Sequence, residues 1–209
     1  MQQIATLGSL LGLAFISGIR LYSTVLAVGL GIRMGFIELP ESLSHLEVLA
    51  STPILFIAVV TYVVEFFADK VPWLDSLWDA VHTFIRPLGA AILGAIAIGT
   101  VDPVVQFGAF LLCGGVALAS HSAKAGTRLA ANHSPEPASN IGLSLLEDGV
   151  VFGGSWFIFS YPLIALGIVV VLLLLIIWLI PKLLRIFRRN FSRLKSVVRR
   201  SGTPSSGAT

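Results

Sequence analysis

Residues 67–87 read FADKVPWLDSLWDAVHTFIRP. Asp69, Lys70, Asp75, Asp79, His82 and Arg86 crowd into this stretch, in a chain where 56% of residues are hydrophobic and 12% charged. Whether it is a loop, a surface helix or part of a membrane span decides how the chain is threaded. Pro72 suits the first turn of a helix. From there Asp75, Asp79, His82 and Arg86 recur at steps of four, three and four, which is one helix face. Trp73, Leu74, Leu77, Trp78, Val81, Phe84 and Ile85 take the remainder. A broad apolar face with two tryptophans predicts an interfacial amphipathic helix whose charged stripe faces water.

The rest of the chain sets the context. Mean hydropathy is +0.91, and residues 1–19, 48–64, 103–123 and 149–181 contain no Asp, Glu, Lys or Arg. A span needs about 20 apolar residues, so these runs predict an all-α, polytopic transmembrane helical bundle. Six spans are expected at 4–32, 50–69, 87–102, 104–124, 141–160 and 162–181. The third is short and needs tilt or extra turns from 81–86 to cross; without them the count is five. The N-terminal apolar run has no basic residue before it and is read as a retained span rather than a signal peptide. The lone Cys113 sits in an apolar run and is read as a packing residue.

Charge is unevenly distributed. Residues 1–181 carry six Lys/Arg against eleven Asp/Glu, whereas 182–209 carry eight Lys/Arg and no acid. Beside a membrane span, such a basic run reads as a cytoplasmic anchor for anionic lipid, with no nucleic-acid partner. The closing SGTPSSGAT has a disordered composition. The chain therefore divides into a membrane domain, 1–181, and a basic tail, 182–209. With six spans both termini are expected in the cytoplasm. The inner connections then carry Lys70, Arg86, Lys124 and Arg128, and the outer ones Arg33 with Glu38, Glu41, Glu47 and Asp102.

An offset of 95 aligns GIRMGFIELPESLSH (31–45) with GTRLAANHSPEPASN (126–140), matching Gly31/Gly126, Arg33/Arg128, Pro40/Pro135, Glu41/Glu136 and Ser44/Ser139. This suggests two halves, 1–102 and 103–181, of three spans each. An odd number per half inverts the second copy, a plan common in transporters.

Charged side chains also fall inside the expected spans: Arg20 after Ser17 and Gly18, Glu65 and Asp69 on one face of the second, Glu147 and Asp148 in the fifth. A charge at mid-bilayer costs about 2.5–3.5 kcal/mol on insertion scales and pairs or faces a cavity. Ser17, Ser23, Thr24 and Thr61 would add hydroxyls to a polar route. Glycine and serine around Arg20 permit either close helix packing or a broken span.

The stretches SGIRLY (17–22), VEFFADKVPWLDSLWDAVHTFIRP (64–87) and SHSAKAGTRLAANHSPEPASNIGLSLLEDG (120–149) resemble an uncharacterised bacterial membrane family, domain of unknown function 4126. The resemblance covers roughly residues 8–170. It implies a multi-pass protein of the bacterial inner membrane and transfers no catalytic residue, cofactor or substrate. In the third stretch His121, Lys124 and Arg128 again share one helix face, on the expected cytoplasmic side. There they can meet the stripe of Asp75, Asp79, His82 and Arg86 in a gate, an anion or headgroup site, or a structural clasp. The prolines of SPEPASN read as a turn, with Ser139 or Asn140 capping the next helix.

Three readings stay open. One is a small transporter or channel for an ion or small polar solute, its route lined by Arg20, Glu65, Asp69, Glu147 and Asp148. The second is a membrane enzyme or carrier acting on a lipid phosphate headgroup, with Asp75, Asp79 and His82 as weak metal candidates and Arg86, Lys124 and Arg128 for phosphate. The third is a scaffold whose charges only pack helices. No nucleophile elbow, phosphate loop or metalloprotease motif occurs, so a conventional enzyme and a cofactor are not expected. A homo-oligomer is compatible with the sequence.

Overall fold

The computed structural model describes residues 1–68, 71–99, 101–131, 137–179 and Lys182, with backbone alone for 72, 75, 76, 129–131 and 137–141. All of the regular structure in them is helical. In chain order come α1 (Gln2–Ile19), α2 (Leu21–Arg33), a 3-10 segment (Glu41–Ala50), α3 (Thr52–Ala68), α4 (Pro72–Ala97), α5 (Pro103–Ala131) and α6 (Pro137–Ser160), then α7 (Pro162–Leu179). Five helical stretches are long and apolar enough to cross a membrane: Gln2–Ile19, Leu77–Ala97, Pro103–Arg128, Gly142–Ser160 and Pro162–Leu179. The 3-10 segment and α3, bent by 68°, make a sixth if taken together. The expected count of about six is met by length and composition, with the shorter apolar helix Leu21–Arg33 outside that count and two changes in how the chain is threaded.

The first change concerns 4–32, which is not one span. The helix breaks at Arg20, an extended residue with φ −149° and ψ 99°. On α1, Ser9 Oγ donates to Ile158 O at 3.0 Å, while Arg20 pairs with Glu147, so α1 runs antiparallel to α6. On α2, Ser23 donates to Asp148 at 3.3 Å, and Ala27, Leu30 and Gly31 share a groove with Phe152 and Trp156. Hence α2 runs parallel to α6, and the chain reverses at Arg20. The two outer ends of this helical hairpin lie together, since Thr6 and Ser42 hydroxyls bond at 2.7 Å and Gln2, Ala5 and Thr6 share a groove with Glu38, Leu39 and Pro40.

The second change concerns the opening stretch. α4 is one helix from Pro72 through Pro87 to Ala97, so Leu77–Arg86 supplies the turns that 87–102 lacked. The stripe does not face water: Asp79, His82 and Arg86 are buried, Arg86 fully, while Phe84 is 79% exposed. The interfacial-helix expectation fails because the bilayer inverts the rule for a half-buried helix. Apolar side chains can face lipid, and charged ones must find partners inside. Asp69 and Lys70 lie outside the described residues, as does the side chain of Asp75. α6 begins at Pro137 in its first turn, so Ser139 and Asn140 sit inside the helix rather than capping it.

The remaining helices alternate. Arg33 donates to Thr52 at 3.1 Å and Glu65 meets Arg86, so α3 runs from the N-terminal face of the bundle to the far face. α4 returns, bringing Gly99 against His45. α5 runs outward, α6 returns, and α7 starts at the N-terminal face with Pro162 and Leu166 against Gly8. Trp156 packs edge-on against Tyr161 near that face; Lys182 Nζ lies 3.0 Å from the Trp178 ring centre at the other end of α7. Aromatic and snorkelling residues of this kind mark the two bilayer interfaces.

Small residues set the closest contacts. Gly94 faces Cys113 and Ala109, and Gly114 faces Ala91 and the Pro87 carbonyl, joining α4 to α5. Cys113 is buried there, as expected of a packing residue. Gly18 lies directly against Ala117 O and Ser120 Oγ of α5, with Ser120 Oγ donating to Phe15 O at 2.8 Å. Without a Cβ at Gly18, the last turn of α1 reaches α5 and Arg20 is carried into the bundle. Gly18→Ala is therefore expected to destabilise the protein by about 1–3 kcal/mol through overpacking, measured as a lowered unfolding midpoint in detergent. Gly115→Ala, which meets nothing within 4 Å, is the neutral comparison.

Candidate functional site

The break at Arg20 presents two helix ends to the bundle interior. α1 ends with carbonyls that lack intrahelical partners, and α2 begins with unpaired N–H groups. Each end meets a charge of the complementary sign. Lys124 Nζ donates to Ile19 O at 3.1 Å, and Asp148 sits beside Ser23 in the first turn of α2. Helix dipoles favour this arrangement.

Arg20 is fully buried and spends its guanidinium on α6. Nε lies 3.1 Å from Glu147 Oε2 and Nη1 3.0 Å from Asp148 Oδ1, while Nη2 donates to Ser144 Oγ at 2.6 Å. Arg128 clasps the same Glu147 through both oxygens, with Nε to Oε1 at 3.0 Å and Nη2 to Oε2 at 2.9 Å. Lys124 adds a third cation at 3.2 Å from Oε2.

A second cluster centres on Arg86, also fully buried. Nη2 donates to Glu65 Oε1 at 2.6 Å, and Nη1 pairs with Asp79 Oδ1 at 3.0 Å. The same Nη1 lies 2.9 Å from His121 Nδ1. An arginine can only donate, so His121 Nδ1 accepts and its Nε2–H points to Asp79 O at 3.2 Å. His82 Nδ1 donates to Trp78 O at 2.7 Å, and its Nε2 lies 3.2 Å from the Tyr22 hydroxyl. Lys124 links the clusters, reaching Asp79 Oδ1 at 3.9 Å.

Among the described residues the buried charges balance. Arg20, Arg86, Lys124 and Arg128 face Glu65, Asp79, Glu147 and Asp148, four of each sign. Of the residues expected to line a route or form a cytoplasmic stripe, Arg20, Glu65, Asp79, Arg86, His121, Lys124, Arg128, Glu147 and Asp148 make one network spanning the Arg20 break and α3 to α6. His82 sits beside it on Trp78 and Tyr22, and Asp69 and the Asp75 side chain lie outside the described residues. Of the expected hydroxyls only Ser23 reaches it. Thr24 and Thr61 bond carbonyls of their own helical segments, and Ser17 Oγ is buried without a hydrogen-bond partner among the described residues. Tyr62, which donates to Asp148 at 3.4 Å, and Ser144, Tyr22 and Thr83 escaped the sequence reading. Ser144 carried a usable signal, since it precedes Glu147 by three residues on one face; Tyr22 carried none, because the break rotates it away from α1's register.

Asp79 is held by Arg86 and Lys124, and His82 by Trp78 and Tyr22. Among the described residues no three His, Cys, Asp or Glu side chains are grouped to hold a metal.

An all-helical bundle with apolar side chains outward and a neutralised ionic network inward defines a multi-pass, membrane-type protein. Its sequence matches the family described as Domain of unknown function (DUF4126) over residues 7–182. The chain belongs to that family, and the match extends to the end of α7, further than the motifs alone suggested. No curated protein matches it, and no solved structure does.

Removing one partner of a buried ion pair strands the other charge, which costs about 3–5 kcal/mol. Arg86→Met, which strands Glu65 and leaves Asp79 only the 3.9 Å contact with Lys124, is expected to lower stability by that amount. Glu65→Gln keeps an acceptor for Arg86 and is expected to lower it by about 1–2 kcal/mol. Chemical unfolding in mild detergent checks the order of the two variants; equal losses would contradict it.

Proposed function

We propose that this chain is a small transporter or channel that passes an ion or small polar solute across the inner membrane of a bacterium. The observation that carries the reading is the charge-balanced network gathered at a broken helix. Buried ion pairs are weak devices for stability, since apolar residues of similar size pack as well or better. Half-helix ends buried within a bundle, by contrast, are a recurring way to build a solute site. In this reading the described arrangement is the closed state. Lys124 holds the Arg86 cluster to the Glu147 cluster, and its long contact with Asp79 is where the two part when the route opens.

Two features support an inverted repeat behind this plan. At the offset of 95, α2, α3 and α4 correspond to the second half of α5, α6 and α7, and each pair runs in opposite directions. Arg33 bonds Thr52 and Arg128 bonds Glu147, two contacts that are each 19 residues apart and related by the same offset. In this version α1 stands outside the repeat, unlike in the halves 1–102 and 103–181.

The reversal at Arg20 alters the topology we propose. The expectation that both termini share one side rested on 4–32 crossing once. With the hairpin in its place, Met1 and Lys182 fall on opposite faces. The positive-inside rule puts the basic tail in the cytoplasm and so leaves the N-terminus outside. An impermeant maleimide added to intact cells is expected to label Gln2→Cys and to spare Ser205→Cys; protection of both would reject this topology.

Flux is tested in proteoliposomes with protons, sodium, potassium, chloride, acetate and phosphate offered in turn. Wild-type protein is expected to conduct at least one of them, and Glu65→Gln to reduce that flux at least tenfold with its chromatographic profile unchanged. A folded variant with undiminished flux would sink the route through Glu65.

A further inference from the structure

Three cations converge on one carboxylate oxygen. Glu147 Oε2 lies 3.1 Å from Arg20 Nε, 3.2 Å from Lys124 Nζ and 2.9 Å from Arg128 Nη2. We infer that Arg20, Lys124 and Arg128 form a binding site for the oxyanion group of a small solute, with the Glu147 carboxylate as its resident occupant. The inference rests on the transport reading and names its solute class.

The chemistry of the donors points to this class. The Arg128 fork takes both oxygens of Glu147 side by side, the geometry in which guanidinium recognises any carboxylate or phosphate.

Two of the three cations stay anchored when the occupant departs. Arg20 keeps Asp148 at 3.0 Å. Lys124 keeps Ile19 O at 3.1 Å and Asp79 at 3.9 Å. With the carboxylate withdrawn, the four buried cations among the described residues face Glu65, Asp79 and Asp148, leaving one positive charge for one incoming negative charge. The side chain of Glu147 is also the outer member of the set, 9% exposed where Arg20 is 0% and Arg128 2%. It can swing outward without dragging the cations along. A guest anion then substitutes for an internal one with no change in buried net charge, which avoids the penalty of stripping water from cations that have nothing to face.

The test uses the full-length chain in nanodiscs, with acetate as probe and chloride at equal ionic strength as control. Glu147→Gln keeps the side-chain shape and removes the resident charge. It is expected to bind acetate at least tenfold more tightly than wild type by calorimetry. Acetate, and not chloride, is expected to raise its unfolding midpoint. Should that variant not fold, Glu147→Asp, which draws the charge back by one methylene, is expected to show the same order at about threefold. Acetate binding no tighter in the variants than in wild type overturns the proposal, and so does chloride matching acetate. Tighter acetate binding in protein that conducts nothing would leave the site standing and remove the transport reading. Flux that is indifferent to acetate and phosphate, with no gain in binding, would do the reverse.

Discussion

A guanidinium held inside a membrane bundle must be met by negative charge, and the architecture follows from meeting that demand at Arg20. A straight helix from residue 4 to residue 32 would hold this side chain at one height on one face. Breaking the helix there lets Arg20 turn toward α6, where Glu147 and Asp148 stand ready. The break also frees the carbonyl of Ile19 for Lys124. Once α1 is drawn in this far, its last turn must lie directly on α5, which is why Gly18 occupies the contact. The hairpin, the glycine and the ion pairs form a single solution.

The other elements complete it from outside. α3, α4 and α5 bring Glu65, Arg86, Asp79 and His121 to the same interior, and their outward surfaces carry Phe56, Phe84 and Leu111 exposed. α7 is the least buried of the candidate spans and α1 the most, so the N-terminal helix forms the middle of the bundle. That placement runs against the habit of treating terminal segments as peripheral. It is explained by the apolar cluster that Leu10, Leu13 and Val28 make with Leu43, Leu46 and Leu93.

Much of this was legible in the residues, for stated reasons. Charge-free runs located α5 and α7 closely, because hydropathy over twenty residues depends on no partner. The one-face spacing of Asp79, His82 and Arg86, and of His121, Lys124 and Arg128, held, since helical periodicity is local. What local periodicity does not encode is direction: a polar stripe points to water in a soluble helix and to partners in a membrane one, and only the packing of α4 against α5 tells them apart. The break at Arg20 was one of two readings of SGIRLY, and the choice between them lies in residues more than a hundred positions away, at 144, 147 and 148.

The amino-acid sequence by itself determined the helical, multi-pass class, the position of most spans and the identity of nearly every charged residue in the interior. Composition and periodicity are properties of short segments, and a bilayer leaves helices few alternatives. The tertiary structure decided which charges meet, that the first apolar run turns back on itself, and that the stripe of the opening stretch faces inward. Those outcomes depend on ion pairs between helices distant in the chain, whose formation is set by which arrangement leaves no buried charge alone.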